Sequence, residues 1–228
     1  MPLRAGSLRP GLGLQGTEVF ISASIPDPTR WEGDYNPLEI TDAVTAAARA
    51  VLTETGRIIT AAHPTIAPLL LYVAAEFPPM ERPSIIVYQS DLFEGLLPEA
   101  TRRFEEHSTG LIRWTKAAPG DLPEPGKWER SLRIMREAML RRSDPQAAIF
   151  IGGMGGLVEE HSLFREIYPK RPWYALSRPG GVARQLALEG GAHLSAGLQS
   201  MGVYPALFSQ VVADIARARQ DGRGPSGH

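Results

Sequence analysis

Apolar positions along the 228 residues fall into two alternating periods. Short unbroken apolar runs begin at Val19, Ile58, Ile85, Leu111, Ala147 and Trp173. Each is too short for a buried helix and suits a strand covered on both faces. Between them apolar residues recur at helical spacing: Ile40, Val44, Ala47, Ala48 and Val51; Ile66, Leu69, Leu70, Val73 and Phe77; Trp128, Leu132, Met135 and Met139; Leu157, His161, Phe164 and Tyr168. A polar helix fits from about Pro98 to His107, and shorter stripes follow at Val182, Leu186 and Leu188 and at Leu207, Val211, Val212 and Ile215. Strands alternating with helices predict one doubly wound α/β domain over residues 17–219, its sheet mainly parallel and its helices on both faces. Residues 1–16 read as a flexible arm and 220–228 as a disordered tail.

Local signals sharpen the element ends. Asn36-Pro37-Leu38-Glu39 combines a capping side chain, proline at the first helical position and glutamate at the third, the pattern of a capping box. Gly56 is placed to close that helix, and Thr65 to cap the next. In such sheets ligands lie at the C-terminal strand ends, and several unusual residues fall there. Ser22 and Ser24 leave room beside the first strand, and His63 stands on the turn after the second, as a ligand contact or a plain turn residue. Trp31 and Tyr35, in the loop after the first strand, are candidates to stack on a base or to anchor the loop.

The densest signal is the strand 147–151 running into Gly152, Gly153, Met154, Gly155 and Gly156 and then a helix carrying Glu159 and Glu160. A strand, a glycine turn and a helix N-terminus together present backbone N–H groups to an anion or a polar ligand. Paired glutamates suit the helix dipole but repel an adjacent phosphate, so they fit ribose hydroxyls or a base better. Arg136 lies beside the apolar stripe of the preceding helix, placed to be half-buried and to reach the same edge. A second glycine turn, Gly180 and Gly181, opens the next helix, where Ser177 and Arg184 would meet the ligand from the other side.

Composition narrows the chemistry. A formal net charge of −1 argues against a nucleic-acid footprint. With no cysteine, disulfides, thiolate metal sites and cysteine catalysis are excluded, and the five histidines lack metal-ligand spacing. No metal or cofactor is therefore expected. No apolar run reaches the length of a membrane span, which leaves a reading as a cytoplasmic protein without a membrane partner.

The segment from Arg133 to Glu160 resembles the SLOG superfamily, the Rossmann-like group containing the DprA and "lonely guy" (LOG) proteins. LOG phosphoribohydrolases carry a helical arginine followed by a strand and a Pro-Gly-Gly-x-Gly-Thr-x-x-Glu motif. Arg136 and the stretch Gly152 to Glu160 are similar to these two parts. A branch found near TIR-type, defence and nucleotide-signalling modules looks closer. The stretch Phe150-Ile151-Gly152-Gly153-Met154-Gly155-Gly156 through Glu159-Glu160 matches it, as does Ala62-His63-Pro64-Thr65-Ile66-Ala67-Pro68. Gly156 stands where LOG enzymes have threonine and Ile151 where they have proline, which favours binding over cleavage.

The resemblance implies a domain sensing a nucleotide derivative such as an ADP-ribose-like ligand. Glycine backbone would hold the phosphate, Arg136 and Arg184 would neutralise charge, and Glu159 or Glu160 would bond ribose. The alternative it implies is an N-glycosidic hydrolase with Arg136, Glu159 and Glu160 as its catalytic set. A third reading is an oligomerising scaffold. LOG-like proteins commonly dimerise, and the helix from Trp128 to Arg142 is the interface that resemblance implies.

Overall fold

The computed structural model describes residues 13–78, 82–106, 110–189 and 202–221. Six parallel strands lie in the order β4-β3-β2-β1-β5-β6: β1 Glu18–Ser24, β2 Arg57–Ala61, β3 Ile85–Ser90, β4 Gly110–Thr115, β5 Pro145–Gly152 and β6 Trp173–Ala175. Successive strands run outward from β1 to β4, and β5 then returns to pair on the other side of β1. The order therefore reverses between β1 and β5, the position where an open parallel sheet leaves a crevice at its C-terminal edge.

The helices divide by face because strand side chains alternate. Val19, Ile21, Ile58, Ile149 and Ile151 point to one side, where α1 (Pro37–Thr53), α2 (Ala67–Ala74) and α7 (Tyr204–Asp221) bury Val44, Leu70 and Phe208 against them. Phe20, Ile59, Ile86, Ala148 and Phe150 point to the other. There α4 (Glu129–Arg142), α5 (Gly155–Ile167) and α6 (Gly181–Glu189) supply Met135, Met139, Leu157, Phe164, Val182 and Leu186. The short polar helix α3 (Glu99–Glu106) precedes β4 at the sheet's edge. Buried Met135, Met139 and Leu140 turn the apolar stripe of α4 toward the sheet. No helix of the described residues is long and apolar enough to cross a membrane.

Local chemistry departs from the sequence pattern at four places. Asn36 caps α1 by accepting from the N–H groups of Leu38 (3.0 Å) and Glu39 (3.2 Å), but Glu39 does not complete a capping box. Its carboxylate accepts from the Tyr204 hydroxyl (2.8 Å) and Arg178 (3.0 Å), while the Asn36 N–H donates to the Pro179 carbonyl (2.9 Å). The left-handed residue after α1 is Thr55 (φ 59°) rather than Gly56. Thr65 caps nothing; α2 begins after Ile66 without a side-chain cap, and the Thr65 hydroxyl pairs with His63 Nδ1 at 2.9 Å. Finally, the folded body extends into the expected arm, because Leu14 is fully buried and its N–H donates to Glu54 O at 2.7 Å. Residues 1–12 and 222–228 lie outside the described residues, and α7 carries helix past the expected start of the tail at 220.

Candidate functional site

The crevice between β1 and β5 is lined by the ends of both strands, with Ser24 in register with Gly152. Gly152 (φ 63°) and Gly153 (φ 83°) take the left-handed turn that only glycine enters without strain. A Cβ on Gly152 would lie 2.7 Å from Ser24 O and from Ile40, so β1 and α1 both press on this turn. The Gly153 N–H donates to Ser24 O (2.8 Å), which removes one donor that the sequence left open for a ligand. Met154 follows in extended conformation at the N-cap of α5, and among the described residues no side chain caps the helix. Helical backbone then starts at Gly155, where an added Cβ would meet nothing within 4 Å. An uncapped, open helix N-terminus carries partial positive charge and unsatisfied N–H groups.

Beside it lies a buried ionic network. Arg136, only 9% exposed, comes off α4 with its Nη1 donating to Glu159 and its Nε to Glu160 (3.3 Å). The other oxygen of Glu160 accepts from the Ser22 hydroxyl at 2.6 Å, so β1, α4 and α5 are joined through three side chains. Arg136 Nη2 lies over Gly156, where a Cβ would sit 2.6 Å from it; the missing side chain makes room for the guanidinium. The two glutamates are not equivalent. Glu160 is 8% exposed with both oxygens engaged, whereas the Glu159 side chain is 56% exposed and offers solvent an oxygen that has no hydrogen-bond partner among the described residues. The sequence contained this distinction. Glu160 is three residues after Leu157 and four before Phe164, on the buried stripe, and Glu159 is off it.

One arginine shared by two carboxylates leaves the cluster negative by one charge. Arg136 is thus already neutralised, which corrects the expectation that it stands ready for a phosphate. The carboxylate end fits hydroxyl groups or a cationic group, and an anion is better met by the backbone of α5.

The second glycine turn is used differently. Gly180 (φ 83°) and Gly181 (φ 66°) pack against the loop after β1 and against the first turn itself. A Cβ on Gly180 would stand 2.3 Å from Asp34 O, and one on Gly181 2.6 Å from the Gly152 carbonyl carbon. Their N–H groups are already used. Gly180 donates to Ser177 O (3.2 Å), Gly181 to Asp34 O (3.0 Å) and Val182 to Gly153 O (3.0 Å). Arg184 folds back on its own turn, donating to Ser177 O (3.0 Å) and Arg178 O (3.4 Å) and lying 3.6 Å from Asp34. The expected approach of Gly180, Gly181 and Arg184 to a phosphate therefore does not hold. Asp34, which no local pattern singled out, is the residue that closes this turn.

His63 lies on the far side of β1, at the end of β2, and bonds within its own turn. Burial pushes its pKa down to about 4, which keeps the ring neutral. The loop aromatics act as anchors. Tyr35 bridges to Gly180 and packs on the α1 side, while Trp31 packs on the α5 side, its buried Nε1 without a hydrogen-bond partner among the described residues. A groove of about 650 Å³ between α1 and α7, lined by Glu39, Arg49, Arg178 and Tyr204, is on the face opposite Arg136.

Comparison with known sequences gives one family. The sequence pattern of the SLOG cluster3 family matches residues 30–212, from the loop after β1 into α7. A search of curated proteins finds no match.

Proposed function

The chain belongs to the SLOG cluster3 family, and on that premise we propose that it binds a nucleotide derivative at the crevice between β1 and β5. The observation that carries this reading is the contrast within α5: an uncapped N-terminus beside Glu159, whose free oxygen is held toward solvent by buried Arg136. The N–H groups of Gly155 and Gly156 receive a phosphate, and Glu159 accepts from ribose hydroxyls. Ser22, Glu160 and Arg136 hold that carboxylate in place, while Ser24, Gly152, Gly153 and Met154 shape the approach. Isothermal calorimetry against a panel that includes AMP, NAD and ADP-ribose isomers is expected to find a ligand with a micromolar dissociation constant, about −8 kcal/mol. Because Glu159 is exposed, Glu159→Gln should fold normally and weaken that ligand by roughly 1.5–3 kcal/mol. A complete panel without heat or thermal shift would sink the reading.

The same carboxylate supports a second one, hydrolysis of an N-glycosidic bond. The base departs with the bonding electron pair and leaves positive charge on the ribose, which Glu159 stabilises; water then adds at the anomeric carbon and its proton passes to the released base. Free base released from AMP or NAD by the wild type and lost in Glu159→Gln would establish the enzyme. Binding without release leaves a sensor for nucleotide signalling.

A further inference from the structure

We infer a second, anion-binding site at the opposite end of the sheet, suited to a small molecule carrying several phosphates. A cavity of about 950 Å³ opens at the N-terminal strand edge, lined by Arg141, Arg142, Lys170, Arg171 and Arg219 with Glu18 and Asp144. The two carboxylates are already matched. Glu18 pairs with Arg57 (3.0 Å) and accepts from the Asp144 N–H (2.8 Å), while Asp144 pairs with Arg171 (2.6 Å). Arg141, Arg142 and Lys170 are exposed and have no carboxylate partner among the described residues. Arg219 is held by Gln15 O (2.9 Å) and the Thr17 hydroxyl (2.6 Å), neither of them charged. Four positive charges from three different chain segments thus face one cavity of a protein whose formal net charge is −1.

The plainer explanation is that these cations serve the C-termini of α4, α5 and α7. Each helix end is worth only about half a negative charge, so an excess remains. One carbonyl at the end of α4, that of Leu140, accepts from the Tyr168 hydroxyl (2.7 Å) rather than from either arginine. Arg171 stacks on the Tyr168 ring (4.0 Å to its centroid) and donates to Pro145 O, which fixes the wall of the cavity. Among the described residues no helix N-terminus lines this cavity. Long cationic side chains spread across a cavity instead favour an anion extended over several positions. The concave shape favours a small molecule over an acidic protein surface.

The test uses the full chain and inorganic tripolyphosphate, pyrophosphate and phosphate, followed by calorimetry at low salt. Tripolyphosphate should bind at about 10–100 µM and phosphate at least about tenfold more weakly, with affinity falling as salt rises. Arg142→Gln with Lys170→Gln, both exposed and so harmless to folding, should weaken tripolyphosphate by about tenfold or more. Glu159→Gln, exposed and at the crevice, should leave it unchanged, which separates this site from the other edge. No binding, equal binding by the double variant, loss in Glu159→Gln, or tighter binding of an oligoglutamate peptide would each overturn the inference.

Discussion

The two glycine turns at the C-terminal edge have nearly the same local grammar and opposite fates. Each follows a strand, each places two consecutive glycines at positive φ, and each opens a helix on the same face of the sheet. At Gly180 and Gly181 the backbone donors are engaged by Asp34, Ser177 and the neighbouring turn, so that glycine there serves close packing. At Gly152 to Gly156 two glycines do the same work, but Gly155 follows them with open space beside it, at a helix end that the Met154 side chain does not cap. The difference comes from the loop after β1, which crosses to the second turn and pairs Tyr35 with Gly180. A glycine-rich turn is therefore a site only where no other backbone has reached it first.

Substitution should break this symmetry, most strongly at the packed turn. Gly180→Ala must place a Cβ on top of Asp34 O at positive φ, and is expected to lower unfolding free energy by about 2–4 kcal/mol in urea titrations. A loss below about 1 kcal/mol would mean that the two turns are not packed as described.

The turn after β2 sharpens the contrast, because it reaches the same edge without glycine and half-buries a histidine. His63 has its pKa depressed from 6.5 to about 4, so the unfolded chain binds more protons between those values. Stability contributed by the neutral ring is full above pH 6.5 and is lost as pH falls toward 4. Since the ring is partly exposed, the loss is expected at about 1–2 kcal/mol. Urea midpoints for the wild type and His63→Gln should diverge across this window; parallel profiles would count against a buried neutral ring. The smallest effect belongs to Gly155→Ala, which meets open space at the first helical position. It should leave stability within about 0.5 kcal/mol or raise it slightly.

How legible each region was in the sequence follows from how local its causes are. The six strands and the two-faced sheet were readable because apolar runs and helical stripes report burial directly. Asn36 was readable as a cap because its partners are two and three residues away. Glu39 was not, since its partners Tyr204 and Arg178 are brought by segments more than 130 residues distant. The same applies to Asp34, whose carbonyl acts through a loop path that no periodicity encodes. Arg136 and the glutamates could be assigned to one edge, but their charge balance required knowing that all three side chains share one network. Helical phase alone distinguishes Glu160 from Glu159, and that signal was available.

The clasp between Arg219 and Thr17 joins residues 202 positions apart, and it bears on how the chain matures. During synthesis β1 and α1 emerge well before α7, so the surface of α1 that receives α7 stays bare until that helix has been made. Closing so long a loop is entropically slow and comes after most of the sheet can already pair. The nascent chain therefore passes through a stage with an assembled strand order and an uncovered apolar helix, a form that chaperones would hold and proteases would find.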